Sequence, residues 1–221
     1  MGRISHFLSG ATATPASAKR IAVLGILTAS AAVLRSLQFV GFNAIFFLPI
    51  LGGYVFGPRF GFMLGSLSLF VSALLGGIGP WLPFQMFATG WVGMLSGLLP
   101  AARLQRAARL EPVLLAVWGL VLGLGFGAVM NLWFWPFVVA PGQSALYWQP
   151  GISLGETLRR YIAFYALTSL SHDVWRAGGN FLLLLFFGRP ILRLLRRFRR
   201  RFHFDVQPVI EGGDALHLPT A

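Results

Sequence analysis

The chemistry open to this chain rests on a thin set of polar side chains. Charged residues make up 11% of the sequence, and cysteine is absent. Without cysteine there is no thiol nucleophile, disulfide framework or Cys-based metal site. The candidates that remain are Arg35, Gln38, Asn43, Gln85, Asn131, Tyr165, Thr168 and His172, with Trp81 and Trp135 beside them. They fall near the ends of apolar runs, where an uncompensated polar group is costly, so they must face one another, water or a ligand. Singly, each has a plain explanation. Arg35 can snorkel to headgroups, and Trp133, Trp135 and Tyr161 suit an interfacial aromatic belt. Together, at one end of a bundle and beside the loop Gly76–Phe84, they read as a substrate-binding cavity.

Asp173 and Arg176 stand at i and i+3, on one helix face, and are expected to form an ion pair inside the bundle. Beside His172 and Asn180 the pair serves either as a structural latch or as a proton relay. Enzyme readings fail on spacing. Ser96 and His172 suggest an intramembrane serine protease, but Met94 stands where such proteases carry Gly, and the two residues lie at different depths. There is no HExxH, no paired-glutamate helix and no phosphate loop. No catalytic residue, metal site or cofactor is therefore expected.

The elements that position these residues follow from composition. At 56% hydrophobic and well under the 25% or so of charge usual in a soluble domain, the chain belongs in a bilayer. The net charge of +12 does not signal nucleic acid, because the basic residues lie between apolar runs and in the tail rather than on a folded face. Six spans of about bilayer length are predicted: Ile21 to Phe39, Phe42 to Phe56, Phe60 to Leu75, Gln85 to Leu99, Val113 to Phe137, and Tyr161 to Phe187. The fold class is an all-α integral membrane bundle of six transmembrane helices. Fourteen of the eighteen Lys and Arg residues fall on one face, which makes both termini cytoplasmic. The domain scheme is a disordered N-terminus 1–18, a membrane domain 19–188 closed by Gly188-Arg189-Pro190, a basic cytoplasmic segment 189–204 and a disordered tail 205–221. The basic segment reads as an interfacial helix or as a solvated flank.

The stretch Gly76–Leu99 organises the rest. A loop of Gly and Pro leads into Trp81-Leu82-Pro83-Phe84, with Pro83 in a helix's first turn. A seam of small residues follows, at Ala88, Gly90, Gly93, Ser96 and Gly97, and suggests a pocket. A second small-residue stripe, Ala22, Gly25, Ala29 and Ala32, lies on one face of the first span and serves either internal packing or docking of a partner helix.

Three segments carry a resemblance: AVLGILTASAAVLR in the first span, FFLPILGGYVFGPRFGFMLGSLSLFVSALLGGIGPWLPFQM, and HDVWRAGGN in the sixth. Over about residues 20 to 200 the chain resembles the substrate-binding membrane subunit (S component) of energy-coupling factor, ECF, vitamin transporters. That resemblance implies a plasma-membrane protein that binds a vitamin or related micronutrient from outside. It also implies docking on a scaffold membrane subunit carrying two ABC-type ATPases. The family's Ala-xxx-Ala docking motif is matched here by Gly25-xxx-Ala29. Arg35, Arg159 and Arg160 favour an anionic or polar ligand, and the tryptophans suit stacking on a flat ring; cobalamin, riboflavin and queuosine-type precursors are the candidates. The rival readings are a stand-alone proton-coupled carrier using Asp173 and a membrane assembly protein without ligand.

Overall fold

A computed structural model describes residues 15–36, 44–107, 109–137 and 144–202. Among them all regular structure is helical. The order is α1 (Pro15–Ser36), α2 (Phe47–Phe56), α3 (Pro58–Gly76), α4 (Leu82–Gly97), α5 (Ala101–Arg106), α6 (Glu111–Leu132), a 3₁₀ turn (Ser144–Leu146), α7 (Leu154–Thr168) and α8 (Leu170–Phe202). Proline opens α3, α4 and α6, where its missing N–H breaks no helical bond. Gly57 turns α2 into α3 with φ of +100°, a backbone region closed to most side chains.

Three helices, α3, α6 and α8, are long and apolar enough to cross a membrane; α2 is apolar but shorter. Of these, α3 and α6 are apolar on both sides. Leu64, Leu69 and Leu115 are fully buried in the core, while Leu75 and Val129 stand exposed. Helices that are hydrophobic all round belong in hydrocarbon, not water.

The two ends of the bundle differ in character. Arg35, in the last turn of α1, donates to Ser72 near the end of α3. Arg199, late in α8, donates to the Val55 carbonyl at the end of α2, where α3 begins, at 2.8 Å. The start of α1 and the end of α8 therefore share one end, the basic end. Glu111, at the start of α6, lies there too, pairing with Arg196 and accepting from the Tyr54 hydroxyl at 2.6 Å. The end of α3, the start of α4 and the end of α6 gather at the other.

The seam of small residues on α4 packs that helix against its neighbours. A Cβ at Gly93 would strike the Gly61 backbone, and one at Gly61 would strike Gly93 and Gly53. A Cβ at Gly65 would lie 2.9 Å from the Gly90 nitrogen. Glycine alone permits such backbone approach between α2, α3 and α4. Ser96 is buried in the same seam, donating to the Val92 carbonyl at 2.8 Å and accepting from Trp118 Nε1 at 3.2 Å.

The sixth predicted span is corrected within its length and at its far end. It breaks at Ser169, which separates α7 from α8, and α8 runs on through Pro190 to Phe202. Proline removes one helical hydrogen bond, but packing beyond it holds the helix. Leu192 and Leu195 are 1% and 2% exposed, and Arg196 and Arg199 bond to Glu111 and Val55. The basic segment, up to Phe202, is thus a working part of the bundle and not only a flank.

Candidate functional site

At the end opposite the basic one, a cavity of about 420 Å³ opens between α4, α6 and α8. Trp81 and Gln85 reach it from the first turn of α4, and Phe126, Gly127, Met130 and Asn131 from the last turns of α6. Thr168, Ser169, His172, Asp173 and Arg176 come from the α7–α8 break and the first turns of α8. Trp133 and Phe134 form the remaining wall, and Trp133 stacks on Phe84 with ring centroids 4.8 Å apart. Aromatic rings and groups that can donate and accept hydrogen bonds both line the chamber.

The polar wall is braced. Asn131 is 6% exposed; its Nδ2 donates to the Gly127 carbonyl at 3.0 Å, and its Oδ1 accepts from Ser169 Oγ at 2.9 Å. Thr168 Oγ1 donates to the Phe164 carbonyl at 2.7 Å. Asp173, 3% exposed, pairs with Arg176, whose guanidinium carbon lies 4.6 Å from the centre of the Phe126 ring. A charge over an aromatic face is stabilised by the ring's quadrupole. Asn180, one turn deeper, accepts from the Phe46 backbone N–H at 3.0 Å and donates to the Arg176 carbonyl at 2.9 Å. Gly127 leaves the space into which the Asp173 carboxylate fits, since a Cβ there would overlap it.

Of the residues expected at the site, Trp81, Gln85, Asn131, Thr168 and His172 meet at this cavity, together with the Asp173–Arg176 pair. Arg35 does not; it is spent on Ser72. Trp135 is buried elsewhere, donating from Nε1 to the Leu146 carbonyl at 2.9 Å within a small cluster with Tyr147 and Phe164. Tyr165 stands beside the cavity rather than in it, stacked on Tyr161, which ties α7 to α6 through the Ala128 carbonyl. Gln38 and Asn43 lie outside the described residues. On α1, Ala22, Gly25 and Ala29 are exposed, whereas Ala32 is 1% exposed and packs within the chain.

A family model for the ECF transporter substrate-specific component matches residues 19–187, more than half of the chain. The chain belongs to that family. As a substrate-specific component it is a membrane-embedded binding subunit of a transport system, and the family is not one of catalysts. Comparison with curated proteins and with solved structures gives no match.

In this ECF component, sequence reasoning missed Phe126, Gly127, Met130, Phe134 and Ser169 as cavity residues, and left Trp133 to the interfacial belt. Apolar residues and a glycine on a membrane helix carry no signal separating a cavity wall from a lipid face. Ser169 was legible in principle, four residues before Asp173 on the same stripe. The arginines taken as a cue for an anionic ligand do not reach the cavity. Arg159 and Arg160 both pair with Glu156, at 2.9 and 2.8 Å, and the half-buried Arg160 also donates to the Tyr147 carbonyl at 3.1 Å.

Proposed function

We propose that this chain captures a vitamin or related micronutrient from outside the cell in the chamber between α4, α6 and α8. It then hands the nutrient inward while docked on a scaffold membrane subunit with ABC-type ATPases. The proposal includes a six-span plasma-membrane topology with both termini cytoplasmic, which puts the cavity at the outer face. The observation that carries it is the chamber itself. About 420 Å³ falls within the range of small-molecule sites, and aromatic rings beside a few hydrogen-bonding groups are how such sites orient a ring-bearing ligand. Because Arg35, Arg159 and Arg160 are engaged elsewhere and Asp173 and Arg176 offset each other, the chamber favours a ligand without net charge.

The test is a thermal-shift screen of the purified chain against a panel of vitamins and their precursors. A specific ligand at about 100 times its Kd stabilises the folded state by about 2.7 kcal/mol, read as a higher melting temperature. One compound should raise it in the wild type, and Gln85→Ala should abolish the shift without changing the ligand-free melting point. A flat response across the whole panel ends the vitamin reading.

Asp173 supports a second reading. It is a buried carboxylate on the cavity wall, the kind of group that relays protons in carriers. If it couples transport to protons, uptake into vesicles holding this chain alone should proceed without ATPase and collapse with an uncoupler.

A further inference from the structure

Away from the cavity, α1, the start of α2 and the inner half of α8 enclose an apolar groove of about 650 Å³. Leu27 and Leu34 form its α1 wall, Phe47 and Leu48 close it at α2, and Leu183, Phe187, Ile191 and Leu194 run along α8. The one hydroxyl on its wall, Ser30, already donates to the Ile26 carbonyl at 2.9 Å, so the groove asks for nothing polar. Its α8 side from Leu183 to Leu195 spans about 18 Å at 1.5 Å per residue. That is close to the depth of one leaflet, half of a hydrocarbon core of about 30 Å.

Charge marks one end of this groove. Arg20, Leu27 and Leu34 recur at intervals of seven on α1, and Leu194, Arg197 and Arg201 lie three and seven apart on α8, so each set shares a helix face. Lys19, Arg20, Arg197 and Arg201 are all exposed. Since the start of α1 and the end of α8 share the basic end, the four cations lie beyond the groove on that side, Arg197 two residues past Leu195 and Arg20 about two turns before Leu27. Leu27 lies about 140° round α1 from Ala22, so the groove is separate from the exposed small-residue stripe.

We propose that the groove holds one anionic phospholipid, with an acyl chain along Leu27, Leu34, Phe187 and Ile191 and its phosphate among Lys19, Arg20, Arg197 and Arg201. The apolar wall sets the site and the cations select the headgroup.

The experiment is native mass spectrometry of the full chain released from neutral detergent after titration with dioleoyl phosphatidylglycerol or dioleoyl phosphatidylcholine. The wild type should retain one phosphatidylglycerol with at least tenfold preference over phosphatidylcholine. A variant with Lys19→Gln, Arg20→Gln, Arg197→Gln and Arg201→Gln should lose the preference. Ser30→Trp, which fills the groove from an exposed position and leaves the cations intact, should lower phosphatidylglycerol retention about tenfold. Equal retention of the two lipids by the wild type overturns the proposal and leaves the groove to a partner helix or to residues 203–221. Undiminished retention by Ser30→Trp also overturns it, because the cations alone would then account for binding.

Discussion

Arg176 is held from three sides: by Asp173 one turn back, by the face of Phe126, and by Asn180, which caps its carbonyl. Removing one partner of such a buried pair leaves the other uncompensated, which costs about 3–5 kcal/mol. Arg176→Met should therefore lower stability by about that much in chemical denaturation in detergent, and Asp173→Asn on top of it should recover part of the loss. A double variant no better than the single one would mean the pair is not the latch described. Glu156 offers the opposite case at the exposed start of α7. Hydrogen bonds from Arg159 and then Arg160 hold its carboxyl down at about 2. A carboxylate with a folded pKa below its unfolded one stabilises the fold above the unfolded value, and that contribution fades as pH falls through the folded one. Glu156→Gln should accordingly melt slightly lower than wild type at neutral pH. The gap should close between about pH 4.5, the ordinary value, and about 2. A gap that widens on acidification would contradict the assigned pairing.

Among the elements, α4 does two jobs on two faces. Trp81 and Gln85 at its start were expected at a cavity, and they line the one between α4, α6 and α8. The small residues further along were expected to form a packing seam, and the glycines among them hold α4 against α3 and α2. Small residues mark close approach; they do not say whether a helix or a ligand approaches. Gly93→Leu should drive α4 off Gly61 and Gly53. Overpacking of this kind costs about 1–3 kcal/mol or more, seen as a lower melting temperature together with weaker ligand binding, since Gln85 rides on the same helix. Gly125→Leu, placed where nothing lies within 4 Å, should leave stability within experimental error. The all-helical class followed directly from composition. The break at Ser169 did not, because the polar run Thr168-Ser169-Leu170-Ser171-His172-Asp173 carries no Pro or Gly to mark a helix end. Nor did the continuation past Pro190, where tertiary bonds to Glu111 and Val55 overrule a local helix breaker.

At the scale of the whole molecule, the proposed binding cavity and the proposed docking stripe occupy separate parts of the bundle, and that separation makes the two roles independently testable. The cavity is built from α4, α6 and α8, while the exposed stripe Ala22, Gly25 and Ala29 lies on α1, which packs mainly on α3 and only lightly on α8. Among the described residues nothing lies over Gly25, for a Cβ there would meet no atom within 4 Å. Gly25→Trp is thus tolerated by the isolated subunit but would hold any partner helix about one side chain away, abolishing the close backbone approach that small-residue stripes allow. The expected outcome is wild-type melting temperature and ligand affinity for Gly25→Trp and for Ala29→Trp, with uptake by the assembled importer reduced at least tenfold and the ATPase module no longer co-purifying. Ala32→Trp is the internal contrast. Because Ala32 is buried, it should destabilise the subunit itself and lower binding and uptake together. If Gly25→Trp behaves like Ala32→Trp, the stripe packs within the chain; if it leaves uptake untouched, the partner docks elsewhere.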